Sequence, residues 1–362
     1  RPKLLQLFKN CFPNTLETTT KLLPDGTTFV ITGDIPASWL RDSVEQVIQY
    51  VPLAKNDPDL QRIIGGLIKR HIQYVHVDPY ANAFNELAND WHWNTTDVTE
   101  MSPWVWERKF EIDSLCFVIR LAYTYWKETG LTDFFDAGFK SALRIIVDLF
   151  KREQRHFEQS PYRFSRNNGI PEDSLRNSGL GMPVNYTGMI WSGFRSSDDA
   201  CDFHYNIPGN MFAVVALRQM QEFAEWVFRD LDFLAELKEL EFEVDHGIKL
   251  YGIYRHPEFG PIYAYETDGF GNHCLMDDAG TPGLISIPYL GYATAEDPIY
   301  QNTRRFALSK ENPFYYEGKA AKGIGSPHTP ANYIWHMALS MQGITAQTKE
   351  EKLELIAVLE NT

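Results

Sequence analysis

Five segments of this 362-residue chain together contain carboxylates, aromatic residues and one histidine. These segments lack a helical repeat of apolar residues. Two carboxyl groups over one pocket suit the hydrolysis of a glycosidic bond, because one carboxylic acid protonates the leaving oxygen while a second carboxylate activates water or attacks carbon. Aromatic rings beside them suit the apolar C–H faces of a pyranose ring. The five segments are 39–43, 106–109, 196–200, 276–279 and 325–329. Each segment alone is a weak signal for this chemistry.

Simpler roles are open for several of these residues. An N-cap that satisfies the free amides of the following helix is the alternative role of Asp42. A surface ion-pair cluster with Glu107 and Glu111 is the alternative for Arg108. The remaining alternatives are core packing for Trp39 and Trp106 and a hydrogen bond to the loop backbone for His328.

Residues 198–202 also spell the DDxxD pattern, in which carboxylates one helical turn apart hold magnesium against a diphosphate. The chain has no second carboxylate motif of this kind on a predicted helix, and Asp198 precedes the apolar helical pattern near Met211. The pattern therefore favours a loop role for these aspartates over a magnesium site.

The composition excludes other classes of protein. The chain carries 34 Lys and Arg against 48 Asp and Glu, a formal net charge of -14, and has no basic run, which argues against a nucleic-acid partner. No stretch approaches the ~18 to 20 apolar residues of a membrane span, and residues 1–10 lack the apolar region of a signal peptide. We therefore expect a cytoplasmic protein with no membrane partner.

The four cysteines, Cys11, Cys116, Cys201 and Cys274, lie far apart and form no CxxC pair. This spacing predicts neither a disulfide framework nor a zinc site, and reduced, buried thiols are expected. No cofactor or metal is expected.

Helical periodicity dominates the chain, and long segments rich in Gly, Pro, Asn and aromatic residues separate the helices. Nine patterns predict helices, and Asp57-Pro58 marks the start of the second. The helical patterns cover 44–51, 60–72, 110–129, 134–157, 208–229, 230–249, 281–289, 330–345 and 349–359, strand-like alternation covers 27–32 and 250–254, and the long loops are 78–103, 160–199, 252–278 and 306–329.

This alternation predicts an all-α protein in which paired helices form an α/α toroid, a barrel of six helical hairpins, with the long loops on the active-site face. We expect residues 1–362 to form a single domain, and an irregular helical bundle is the alternative. Aromatic residues make up 14% of the chain, and many of its Trp and Tyr residues fall in the long loops, which indicates a sugar-binding face.

Together these segments are similar to glycoside hydrolase family 125, the exo-acting, metal-independent α-1,6-mannosidases. The segments that carry the resemblance are 12–16, 32–43, 78–84, 106–111, 197–200, 268–272, 275–279 and 323–329. The resemblance implies a single barrel of paired helices that removes a terminal α-1,6-linked mannose from the non-reducing end of a mannan or N-glycan fragment, with inversion and without a metal.

The resemblance also implies catalytic residues. The general acid of the family matches the pair Asp198-Asp199, of which we favour Asp198, and Asp199 then supports the loop or binds sugar. Burial beside Trp191 and Phe194 is expected to raise the pKa of the acid. Inversion places acid and base about 6.5 to 9.5 Å apart.

The base implied by the resemblance is a glutamate of a His-Glu segment near the C-terminus of the family. No His-Glu dipeptide occurs in this chain, so we expect the base beyond Thr362, with the chain lacking that C-terminal segment, or else another carboxylate replaces it. The candidate replacements are Asp42, Asp113, Asp278 and Glu317.

For the sugar site we expect Arg41 and Asp42 to hold vicinal hydroxyls by charge-assisted hydrogen bonds. Two further functions stay open: an inverting α-glucosidase of the same barrel type, since one or two contacts distinguish the sugars, and a mannoside-binding protein without turnover. The other predicted sugar-site residues are Asn82, Glu107, Arg108, Asp277, Asp278 and His328 in the polar lining and Trp39 and Trp106 as stacking or wall residues.

Overall fold

The computed structural model describes all residues 1–362, and helices provide most of the regular structure. The prediction of a mostly helical protein is therefore confirmed. The helices are α1 (Pro2–Cys11), α2 (Leu40–Glu45), α3 (Val51–Ala54), α4 (Pro58–Val77), α5 (Ile112–Thr129), α6 (Ala137–Glu153), α7 (His156–Gln159), α8 (Arg176–Gly179), α9 (Ile207–Glu222), α10 (Leu231–Tyr251), α11 (Ile287–Leu290), α12 (Pro298–Ala307), α13 (His336–Ile344) and α14 (Lys349–Asn361).

The strands are two to four residues long. They are β1 (Thr20–Leu22), β2 (Thr28–Val30), β3 (Ser38–Trp39), β4 (Ala83–Phe84), β5 (Asp97–Val98), β6 (Val105–Glu107), β7 (Ser165–Arg166), β8 (Tyr205–Asn206), β9 (Ile253–His256), β10 (Gly260–Tyr263), β11 (Glu266–Thr267), β12 (His273–Cys274), β13 (Tyr315–Glu317) and β14 (Lys322–Ile324). The chain packs as two compact units. Unit 1 comprises Arg1–Arg152 and Ala216–Lys238, and unit 2 comprises Glu153–Val215 and Glu239–Thr362.

Helix α4 of unit 1 begins where the sequence predicts. The Asp57 side chain accepts hydrogen bonds from the N–H groups of Asp59 and Leu60, and Pro58 occupies the first turn, where no amide is lost. Its apolar stripe is buried, and a Cβ at Gly66 would lie 2.5 Å from Oγ1 of Thr28. Glycine at this position therefore allows the helix to pack closely against β2.

An aromatic cluster fills part of the core of unit 1. The rings of Phe135 and Phe223 lie 5.0 Å apart, and those of Phe139 and Phe223 lie 5.5 Å apart at nearly right angles. Phe139 and Phe223 are buried. The aromatic content of the chain is thus partly a feature of the core, and not of the loops alone.

Small antiparallel sheets bring loop residues into register. In unit 1, β3, β4 and β6 align Trp39 with Ala83 and Ala83 with Glu107. In unit 2, the central strand β11 pairs Glu266 with Asn206 of β8 and with Cys274 of β12. Further pairs are β1 with β2, β9 with β10 and β13 with β14.

Several predicted elements have other bounds. The predicted helix 281–289 reduces to α11, because Pro282 interrupts the segment and the carboxylate of Asp277 binds the amides of Leu284 and Ile285. The predicted helix 330–345 starts only after its N-cap, Trp335. Further differences are a 3₁₀ turn and α3 in place of the end of 44–51, the division of 134–157 into α6 and α7, the extension of α10 to Tyr251 in place of a strand from 250, and the unpredicted helices α1, α8 and α12.

All four cysteines are free thiols, as predicted. Cys116 and Cys201 are buried, whereas Cys11 is exposed and Cys274 is half-buried, so the expectation of buried thiols is wrong for Cys11. None of the helices has the length and apolar content required to cross a membrane.

Candidate active site

Asp198 lies at the tip of a tight hairpin between Phe194 and Ala200 in unit 2. The N–H of Asp198 donates to the carbonyl of Arg195 at 3.0 Å, and the N–H of Arg195 donates to the carbonyl of Asp199 at 2.8 Å. Asp198 has a φ of 71°, the left-handed conformation that the last residue of such a three-residue loop adopts. Aspartate tolerates this conformation better than most residues, and the hairpin holds Asp198 half-buried.

Asp199 is 1% exposed. Its Oδ1 accepts a hydrogen bond from Nδ1 of His328 at 2.8 Å, whereas its Oδ2 is buried with no protein partner. Buried carboxylate oxygens are rarely left without a partner, so Oδ2 of Asp199 has unused capacity to accept a hydrogen bond.

Asp278 belongs to the same cluster and is 2% exposed. Its Oδ2 accepts a hydrogen bond from Oγ of Ser197 at 2.5 Å, and its Oδ1 is buried without a protein partner. Burial raises the pKa of Asp278, hydrogen bonds from Ser197 and Ser326 oppose this, and the charge of Asp199 adds to the increase. The structure therefore brings Asp199, Asp278 and His328 together.

Asp277 supports the loop that presents Asp278. Its Oδ1 accepts from the N–H groups of Asp278 at 3.0 Å and Leu284 at 2.6 Å, and its Oδ2 accepts from the N–H of Ile285 at 3.2 Å. Burial raises the pKa of Asp277 to about 7 despite these three donors. Since the backbone engages both oxygens, the sugar contact of Asp277 stays a prediction.

Arg41 anchors a second cluster, in unit 1. Its Nη1 donates to Glu111 at 2.7 Å and to Asp113 at 3.1 Å, and its Nε lies 3.7 Å from Oδ2 of Asp42. Arg41 and Asp42 lie in the first turn of α2, and Asp113 lies in the first turn of α5. The N-cap of α2 is Trp39, so the alternative role of Asp42 as an N-cap is wrong.

Asn82 connects this cluster to β6. Its Nδ2 donates to Glu107 at 3.1 Å and to Glu111 at 3.4 Å, while its Oδ1 accepts from the N–H of Lys109 at 3.0 Å. Asn82 and Glu107 are buried. Arg41 bonds Glu111, and Asn82 bonds both Glu111 and Glu107, so the structure brings Arg41, Asn82 and Glu107 together.

Arg108 lies in a separate set of contacts. It is 6% exposed, donates to Asp78 at 2.6 Å and to Thr99 at 2.9 Å, and stacks over the ring of Tyr80 at 5.2 Å. Arg108 is buried and forms an ion pair with Asp78, so the surface position of the alternative ion-pair cluster is wrong, while its pairing with Glu107 and Glu111 stays a prediction.

The tryptophans differ in their surroundings. Trp39 and Trp106 pack on one apolar cluster with Ala37 and Ala83, and each has a buried indole N–H without a partner. Trp191 is fully buried, with its ring stacked on His156 at a centroid distance of 3.6 Å. Trp191 therefore belongs to the core and not to a sugar-binding face, whereas Trp39 and Trp106 keep a donor for a ligand.

The candidate replacements for the base differ in burial. Asp113 is 3% exposed and bonded to Arg41. Glu317 of β13 is exposed and lies 3.2 Å from Lys310. None of these contacts tests a catalytic role, so the base stays unassigned.

Buried residues that no sequence pattern assigned to the site support these clusters, namely Glu111, Arg195, Ser197, Glu266 and Ser326. The sequence does contain a signal for Glu266, which is a single charged residue directly after the apolar and aromatic run Ile262–Tyr265. A lone charge beside such a run is typically buried and paired. The serines carry no comparable signal.

The DDxxD segment lies in the hairpin and ahead of α9, which begins at Ile207. Its carboxylates therefore do not share a helical face. Across residues 1–362, no group of three or more His, Cys, Asp or Glu side chains is arranged to hold a metal ion.

Comparison with known proteins places the chain among glycosidases. The family model described as metal-independent alpha-mannosidase (GH125) matches residues 1–362. The meiotically up-regulated gene 157 protein of Schizosaccharomyces pombe is 37% identical over 386 residues, which cover 99% of this chain and 74% of that protein.

Solved structures agree with this match. A metal-independent α-mannosidase of Streptococcus pneumoniae, in a non-productive complex with α-1,6-mannobiose, is 47% identical, with a TM-score of 0.97 over 99% of this chain and 84% of that chain. A wild-type glycosidase that is 11% identical has a TM-score of 0.55 and covers 99% of this chain and 82% of that one, which shows likeness of fold alone.

Proposed function

Because the chain belongs to the metal-independent α-mannosidases of glycoside hydrolase family 125, it is a glycoside hydrolase, and we propose that it removes terminal α-1,6-linked mannose from the non-reducing end of mannan or N-glycan fragments with inversion. The main support is the 47% identity to an α-mannosidase whose structure contains α-1,6-mannobiose. We also propose that the helices form the α/α toroid of six hairpins, in one catalytic domain.

In this proposal Asp198 is the general acid. The support is its half-buried position at the hairpin tip, while the neighbouring Asp199 is fully buried and bonded to His328. Asp198 protonates the glycosidic oxygen, and a second carboxylate removes a proton from the water that attacks the opposite face of the sugar. Asp199 serves as support for the hairpin and as a ligand for the sugar.

The sugar is recognised by buried groups that have no protein partner. Oδ2 of Asp199 and Oδ1 of Asp278 accept hydrogen bonds from sugar hydroxyls, which satisfies oxygens that are already desolvated. The roles of Trp39 and Trp106, in unit 1, as stacking or wall residues stay predictions. In unit 1, the charge-assisted hydrogen bonds of Arg41 hold the carboxylates of Glu111 and Asp113 in place.

The experiment is hydrolysis of α-1,6-mannobiose followed by proton NMR from the first turnovers, with isomaltose as the matched substrate. We expect mannobiose to be the better substrate and β-mannose to exceed its equilibrium share before mutarotation, since the leaving mannose contributes both anomers under either mechanism. If α-mannose exceeds its equilibrium share instead, the reaction proceeds with retention. If isomaltose is preferred, the chain is an α-glucosidase, and if mannobiose binds without product, it is a binding protein.

A further inference from the structure

Arg195 closes the hairpin that carries Asp198. Both backbone hydrogen bonds of the loop end on this residue, since its carbonyl accepts from Asp198 and its N–H donates to Asp199. The three-residue tip between these bonds can therefore move only if the backbone of Arg195 moves.

The Arg195 side chain is anchored below the hairpin. Its Nε donates to Oε1 of Glu266 at 2.6 Å, its Nη2 donates to Asp202 at 3.1 Å, and its guanidinium lies over the Tyr265 ring at 5.8 Å. The side chains of Arg195 and Glu266 are 6% and 0% exposed. A buried arginine that donates a charge-assisted hydrogen bond to a buried carboxylate has little conformational freedom.

Glu266 is itself fixed. It lies on the central strand β11, and its Oε2 accepts from the N–H groups of Asp202 at 2.9 Å and Phe203 at 3.1 Å. The far side of the hairpin is held as well, because Ser196 donates to the carbonyl of Pro282 at 3.0 Å. Glu266 thus links the Arg195 side of the hairpin to the sheet.

We propose that Arg195, through its ion pair with Glu266, is a positioning residue that holds the Asp198 carboxyl group where it can protonate the glycosidic oxygen. This inference rests on the proposed function. A displacement of about 1 Å at a reacting group is enough to lower a rate by about 10²-fold.

The test uses two substrates that differ in their need for an acid. α-1,6-Mannobiose must be protonated as it leaves, whereas 2,4-dinitrophenyl α-mannoside releases a stable anion without a proton. Arg195→Lys keeps the buried positive charge and loses the second hydrogen bond and the rigid fork. Its matched control is Arg304→Lys, which alters the pair of Arg304 with Glu351 at 2.7 Å in the same unit.

We expect Arg195→Lys to lower kcat on mannobiose by about 10²-fold and to leave kcat on the dinitrophenyl substrate nearly unchanged, while Arg304→Lys does not change the ratio of the two rates. Equal losses on both substrates, or no loss, would overturn the positioning role. If the parent protein cleaves neither substrate, the proposed function itself fails. Glu266→Gln is analysed in the same way, so that a poorly folded Arg195→Lys protein still leaves a decisive result.

Discussion

Nδ1 of His328 donates a hydrogen bond to Oδ1 of Asp199 at 2.8 Å, although the two residues are 129 positions apart. Asp199 is 1% exposed, so water contributes little to the solvation of its carboxyl group. The bond joins the hairpin of Asp198 to the loop that follows β14.

His328→Ala removes the donor and leaves a buried carboxylate oxygen without a partner. We expect the free energy of unfolding to fall by about 1–3 kcal/mol and kcat on α-1,6-mannobiose to fall by at least about tenfold. Urea denaturation and steady-state kinetics measure the two effects. His336→Ala is the control, since His336 is exposed and its side chain bonds only Thr362, at 3.2 Å; an equal effect there would refute the role of the pair.

Asp198→Asn tests the identity of the acid without altering the hairpin, because asparagine also tolerates a positive φ. We expect kcat on α-1,6-mannobiose to fall by about 10²- to 10⁴-fold, with KM nearly unchanged and the dinitrophenyl mannoside still cleaved. Asp199→Asn is the comparison. If that variant alone loses mannobiose cleavage and keeps the activated substrate, the acid is Asp199.

Asp277→Asn tests the effect of burial on pH-dependent stability. Burial raises the pKa of Asp277 from 3.8 to about 7, so the folded protein holds this proton more tightly than the unfolded chain. The contribution of Asp277 to stability is therefore complete below pH 4 and is lost as the pH rises to 7 and above.

Asparagine cannot ionise, so the stability of the Asp277→Asn variant does not fall through this residue as the pH rises. The unfolding free energy of Asp277→Asn minus that of the parent should rise between pH 4 and 7, by up to about 4 kcal/mol. Urea titrations at several pH values measure the difference, and a constant offset between the two proteins would contradict the raised pKa.

Arg41→Met removes the positive charge between two buried carboxylates. The side chains of Glu111 and Asp113 are 0% and 4% exposed, so we expect a loss of about 3–5 kcal/mol in the free energy of unfolding. Arg62→Met is the control, since its pair with Asp59 is exposed and is expected to change stability by less than about 0.5 kcal/mol. Similar losses in both variants would refute the importance of the buried cluster.

The sequence predicts those elements whose signals are local. Asp57 and Pro58 mark the start of α4 correctly, since a cap and a proline act on the adjacent turn. Helix α12 also has local signals that the sequence prediction overlooked: a cap, Asp297, a proline at its start, and buried residues at helical spacing, Tyr300, Thr303, Phe306 and Ala307. Helix α1 has no fully buried residue, so packing in the core does not specify it.

The site was predicted at the level of segments, not of contacts. Asp199, Asp278 and His328 belong to three of the predicted segments, yet the bonds that join them depend on tertiary packing over long sequence separations. The roles of Arg195 and Glu266 were not predicted for the same reason. Local patterns indicate which residues are polar within apolar surroundings, and only the fold determines which of them meet.

The left-handed turn at Asp198 has a genetic consequence. Asparagine fits this conformation as well as aspartate does, and a single nucleotide change converts an aspartate codon to an asparagine codon. One mutation would therefore yield a protein that keeps the shape of its site and lacks the carboxyl group at the hairpin tip. In a gene family with duplicated copies, this position is the one to inspect for copies that have become lectins.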